Sequence, residues 1–177
     1  MKEESKLDER DAIESFQRLA EKFCKAVVSL DARKSDEFLA KIASILGSLY
    51  SAAVLLPDVS PKTNGRLHSK RNLGQRTKRY KRLNELLAAK LGSANGYWKV
   101  FDPPDKKSLV STTLSDDLAD ICLDLEDGLA LQRSGVPRND FLWQWRFDFR
   151  AHWGRHAVSA LPAIHHLTAW DYEDGSD

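Results

Sequence analysis

His152 and His156, in the stretch FRAHWGRHA, stand four residues apart. On a helix that spacing puts both imidazoles on one face, where they can ligate a single transition-metal ion. Asp148, one turn earlier, offers a carboxylate as a third ligand. The same spacing also suits a hydrogen-bonded structural pair. Trp153, Gly154 and Arg155 set a bulky ring and a cation among the ligands, so the structural pair is the reading preferred from sequence. A second constellation lies upstream. Asp117, Asp120, Asp124 and Asp127 recur at steps of three, four and three, which at about 100° per residue confines them to a narrow stripe on one helix. Four aligned carboxylates repel one another, and solvent, neighbouring cations or a divalent ion must offset that repulsion. No ExxH or HExxH partner accompanies the stripe.

The third constellation is cationic. Residues 59–82 hold nine Lys or Arg and no acid, so that out of a net charge of +1 the remainder carries −8. Arg76, Lys78, Arg79 and Arg82 would form a patch for phosphate backbones, since clustered cations displace condensed counterions. Tyr80 is the single aromatic in the run and no nucleic-acid motif accompanies it, so a solvated linker is the simpler expectation. The nucleophile elbow GxSxG, the phosphate-binding Walker A loop and the dinucleotide GxGxxG are all missing from the sequence, which removes the signatures of common acyl, phosphoryl and dinucleotide chemistry.

The elements that must position these residues read as helices. Ile13, Phe16, Ala20, Phe23, Val27 and Leu30 step by three and four, the period of a first helix. Ser35, followed by Asp36 and Glu37, signals the start of a second. Phe38, Ile42, Ile45, Leu49, Ala52 and Leu56 continue it until Pro57 removes a donor. Residues 57–78 read as a flexible basic loop, and Tyr80, Leu83, Leu87 and Leu91 as a shorter third helix closed by Gly92. The fourth helix is expected to take Ser115 as its cap, to bury Leu118, Ile121, Cys122, Leu125 and Leu129, and to display the aspartate stripe. The fifth should run from Asn139, after Pro137, to Pro162, with apolar residues all around its axis, as in a central bundle helix.

On that helix Phe141, Trp145, Asp148, His152, Arg155 and His156 project to one sector, and Arg146, Arg150, Trp153 and Ala157 to another. A buried guanidinium needs a carboxylate. Pairing of Arg146 or Arg150 with Asp120 or Asp124 is therefore expected. Gly154 inside the helix suggests close passage of another helix or backbone. Tyr97, Trp98 and Phe101, with Asp102, Pro103 and Pro104, read as a rigid aromatic loop. They either plug the end of the core or, if exposed near the histidines, frame a docking patch.

The whole is expected to be all-α: a single-domain bundle of about five helices, long enough to bury roughly 70% of its unfolded surface. Strictly alternating strand segments are not expected, nor a membrane span of roughly 20 apolar residues. The acidic start MKEESKLDERDAIES lacks the basic and apolar regions of a secretory signal, so a cytoplasmic location is expected. Cys24 and Cys122 form no CxxC motif and read as reduced, packed thiols. Residues 168–177 read as a frayed acidic tail.

The segments YWKVFDP (97–103), SDDLADICLDLEDGLAL (115–131) and WQWRFDFRAHWGRHAVSAL (143–161) resemble those of a small bacterial family, domain of unknown function five-zero-six-three. The likeness is most specific in DDLADI and HWGRHA. It implies an all-helical cytoplasmic domain with no established activity, substrate or cofactor. Pro162 departs from the family's pattern at the last turn of the fifth helix.

The leading expectation is a non-catalytic module that binds an unidentified protein partner, without cofactor and without membrane. Its candidate seam comprises Asp117, Asp120, Asp124, Trp145, Arg146, Arg150, His152, Trp153 and His156, with Tyr97 and Trp98. A metal-dependent hydrolase using Asp117, Asp120, Asp124, His152 and His156, with Asp148 as a possible ligand, is the alternative. Nucleic-acid binding through Arg76, Lys78, Arg79 and Arg82 is a third and less favoured reading.

Overall fold

A computed structural model describes residues 2–29, 35–63, 73–100 and 108–169, with side chains described from residue 9 onward in the first helix. The elements run α1 (Lys2–Ser29), α2 (Ser35–Val54), α3 (Leu73–Leu91), a 3-10 turn (Gly92–Asn95), β1 (Gly96–Val100), β2 (Leu109–Thr113), α4 (Leu114–Arg133), α5 (Arg138–Asp148), a π turn (Phe149–Trp153) and α6 (Gly154–Ala169). Right-handed helical dihedrals at Asp148, Phe149 and Gly154 make α5, the π turn and α6 one continuous rod. The described residues thus form an all-α bundle of five helical rods carrying one small hairpin.

The central helix is α4, not the fifth rod. It packs against α1, α3, α5, α6 and the π turn. Twelve of its 20 residues are buried. Its neighbours supply Phe16, Phe23 and Val27 from α1, Leu87 from α3, and Ala157 and Ile164 from α6 to one continuous core. Trp145 and Trp153 join that core through Phe16, with ring centroids 4.8 and 6.3 Å away. The sulfur of Cys24 lies 3.6 Å from the Cys122 carbonyl, so both cysteines are buried free thiols at the α1–α4 contact. By length and composition α2 is apolar enough to cross a membrane, contrary to the sequence expectation. Eight of its residues are instead buried, against α1 and α6.

Several boundaries differ from the sequence reading. Residues 73–78, expected in the basic loop, form the first turns of α3, and residues 64–72 lie outside the described part. The hydroxyl of Ser35 donates to the Lys90 carbonyl at 2.9 Å, tying α2 to α3. Thr113, not Ser115, caps α4: its Oγ1 accepts the Asp116 amide. Gly92 closes α3 as expected, at φ +54°, a left-handed conformation that costs glycine little.

The hairpin was not expected. β1 and β2 pair antiparallel with Trp98 opposite Ser111 and Val100 opposite Leu109. Exposed and half-buried residues alternate along β1 and along the first four residues of β2, too few positions to stand out against helical periodicity. Phe101 to Pro104 lie outside the described residues.

Pro162 does not end the last helix, which continues to Ala169. Its ring replaces one donor at an exposed position of the rod, while Ala160 and Ile164 on either side stay buried and hold the helix to α2 and α4.

Candidate functional site

The aspartate stripe of α4 is wedged between α3 and α6 rather than facing water. Asp117 and Asp124 are buried, with Asp120 and Asp127 only partly exposed. The start of this helix is held by Asn95, whose side chain accepts the Ser115 amide at 2.9 Å and donates to the Ser115 hydroxyl at 3.1 Å.

Each side of the stripe is met by a different partner. From α3, Arg76 donates to Asp124 at 2.8 Å and also to Asp127, Arg79 donates to Glu126 at 2.5 Å, and Tyr80 donates to Asp116. From the π turn and α6, Nδ1 of His152 lies 2.7 Å from Asp124 and Nδ1 of His156 lies 2.7 Å from Asp117. The other ring nitrogen of His156 is 3.8 Å from Asp120. The hairpin closes the end: Tyr97 donates to Asp117 and Lys99 Nζ lies 3.4 Å from it. Ionised carboxylates accept only, so each imidazole presents Nδ1–H to its aspartate, which leaves Nε2 as the second functional atom.

Proton affinities follow from these contacts. The hydrogen bond to Asp124 raises the pKa of His152 above the ordinary imidazole value, against the opposing effect of partial burial. Burial raises that of Asp120, with Asp116 and Asp124 adding to it and the two histidines working against it. Burial, and then donation to Asp116 and Asp117, push the Tyr80 and Tyr97 hydroxyls up. Both tyrosines are therefore donors at any ordinary pH.

The expected pairing of Arg146 or Arg150 with Asp120 or Asp124 does not occur. Arg146 donates to the Leu56 carbonyl and lies 3.4 Å from Asp58. It and Arg150 line a cleft of about 400 Å³ against Asp58 to Pro61, on the α2 side of the rod. Their place at the stripe is taken by Arg76, which the sequence assigned only to a patch for phosphate backbones.

Asp148 also departs from the expected set. It is buried and accepts from Gln144 at 2.8 Å, within its own helix. A π turn inserts a residue relative to α-helical register and so rotates everything after it. An unbroken α projection therefore misplaces Asp148 relative to His152 and His156. Gly154 makes this turn possible. Its amide donates to the Phe149 carbonyl, and an added Cβ would sit 2.3 Å from that oxygen. What passes close to Gly154 is its own helix, not another.

The remaining candidates divide between core and surface. Trp145 and Trp153 are core residues. Tyr97 is half-buried against the core, as a plug would be, whereas Trp98 is 68% exposed. Of the cations proposed for nucleic acid, Arg76 and Arg79 are neutralised by α4 carboxylates. Lys78 and Arg82 line a cleft with Val28, Leu83 and Leu86.

Comparison with known proteins agrees with this architecture. A solved structure, that of protein BF1032 from Bacteroides fragilis, shares the fold, with a TM-score of 0.68 and 24% identity over 94% of this chain and 96% of that one. A search of curated proteins finds no significant relative. The family model described as domain of unknown function (DUF5063) matches residues 7–170, and it is to this family that the chain belongs.

Proposed function

We propose that the protein is a non-catalytic module that docks another protein on the outer face of its hairpin. One observation carries this reading: that face is apolar. A small antiparallel sheet with one side on the core ordinarily turns polar residues to water. Here the outward positions include Trp98, Val100 and Leu109, at 68%, 53% and 59% exposure, with Val100 and Leu109 directly opposite in the register. Beside them a cleft of about 500 Å³ between β1 and α6 is lined on the helix side by Val158, Pro162 and Ala163, among others.

Clustered exposed apolar side chains mark interaction sites more often than scattered ones do, and a protruding tryptophan is a common energetic anchor. Among the described residues neither outer edge of the two-stranded sheet has a partner strand, so an extended segment has backbone groups to pair with.

Trp98→Glu tests the proposal, because an exposed substitution of this kind costs about 0.5 kcal/mol or less of stability. Wild-type chain used as bait in the native host should recover a stoichiometric partner that the equally folded variant does not. Recovery of no partner, or of the same partner by both, would refute it.

A further inference from the structure

Three groups of described residues bring metal-ligating atoms together: Cys24, Cys122 and Glu126; Asp116, Asp117 and His156; and Asp120, His152 and His156. The first is closed off, since both thiols are buried in the α1–α4 contact. In the second, Asp117 is fully buried and already shared by Tyr97, Lys99 and His156. The third has neither defect.

We propose that Asp120, His152 and His156 hold one divalent transition-metal ion, zinc by the character of the donors, with both histidines ligating through Nε2. One ring nitrogen of each histidine and one carboxylate oxygen of Asp120 lie within 4.8 Å of one another, and Nε2 of His156 is 3.8 Å from Asp120. The two imidazole rings stand edge to face, 4.8 Å between centroids. Zinc bonds of about 2.0–2.2 Å to nitrogen and oxygen require the donors to draw closer than this. Rotation of the partly exposed His152 and Asp120 side chains supplies that movement.

The surroundings match what a metal site requires. A ligating histidine is almost always oriented by a carboxylate or carbonyl at its other nitrogen. Here each histidine has a buried aspartate 2.7 Å from Nδ1, and each aspartate is itself anchored: Asp124 by Arg76, Asp117 by Tyr97 and Lys99. The Nδ1–H tautomer is thereby set, and Nε2 keeps the lone pair that binds metal. Two nitrogens and one oxygen suit zinc or its neighbours better than calcium or magnesium, which take oxygen ligands. His152 has 46% of its side chain exposed, which gives an ion access and leaves a coordination position for water or for a donor from elsewhere.

Titration calorimetry of the full, tag-free chain with zinc chloride, after chelator treatment and its removal, tests the site. One ion per chain is expected. His152→Ala and Asp120→Asn should each weaken binding at least tenfold. Asp124→Asn, which touches no ion, should weaken it by about ten- to a hundredfold through orientation alone. Cobalt substituted for zinc should shift the NMR resonances of both His152 and His156. His165→Ala and Cys24→Ala should bind as the wild type does. The proposal is overturned if the wild type binds no ion, or if zinc binds equally well to folded His152→Ala and Asp120→Asn chains.

Discussion

Replacing Asp117 by alanine removes one acceptor on which three side chains, two from β1 and one from α6, converge. Its carboxylate is fully buried, takes the Tyr97 hydroxyl and the Nδ1–H of His156, and lies 3.4 Å from Lys99. Breaking a buried charged pair from one side costs about 3–5 kcal/mol, because the remaining partner loses its compensation. The side chains of His156 and Lys99 are 18% exposed and can regain some water, so the lower end, about 3 kcal/mol, applies. In a chain of this size each kcal/mol moves the melting temperature by about 2–4 °C, which predicts a fall of about 6–12 °C.

Thermal unfolding followed by circular dichroism measures this directly, with urea unfolding as a check on two-state behaviour. Tyr97→Phe alone should cost about 1–1.5 kcal/mol, the net value of one hydrogen bond. A double-mutant cycle between Asp117→Ala and His156→Ala should show a coupling of about 1 kcal/mol or more, since the two residues are in contact. A fall of less than 2 °C, or strict additivity in the cycle, would mean that the seam contributes nothing to holding α6 and the hairpin on α4.

Further predictions concern protons and close approaches. The pKa of His152 is raised in the folded state, so its pairing with Asp124 stabilises fully below the unfolded imidazole value of about 6.5 and is lost as pH rises through the higher folded value. The stability difference between wild type and His152→Ala should therefore shrink from pH 6 to pH 9, and a constant difference would contradict the pairing. Gly154→Ala gains about 1 kcal/mol in helix propensity but places a Cβ 2.3 Å from the Phe149 carbonyl. The clash should prevail, leaving a net loss of about 1–2 kcal/mol in urea unfolding; a more stable variant would show that the π turn is dispensable. At Gly128 an added Cβ would meet the buried Trp145 indole at 2.6 Å, so Gly128→Ala should cost about 1–3 kcal/mol and alter the near-ultraviolet tryptophan signal.

Most helices were legible because their apolar residues recur at three and four over many turns. Phe16, Ala20, Phe23 and Val27, or Phe38, Ile42, Ile45 and Leu49, could be assigned to buried faces before any contact was known, and all are buried. Where the signal was short it failed. Five residues per strand did not reveal the hairpin, and the expected cap, Ser115, lies two residues inside the one that forms, Thr113.

The candidate site divides along the same line. Sequence alone determined that Asp117, Asp120, Asp124 and Asp127 share one stripe and that His152 and His156 share one face, since both statements need only helical geometry. Which cation meets which carboxylate was decided by tertiary structure. Placing α3 beside α4 handed Asp124 and Asp127 to Arg76, the π turn moved Asp148 out of the expected set, and Arg146, which precedes that turn, found the Leu56 carbonyl just beyond α2. Local periodicity sets directions within a helix. It cannot say which neighbour a direction points at, and one inserted residue at a π turn rotates every direction after it.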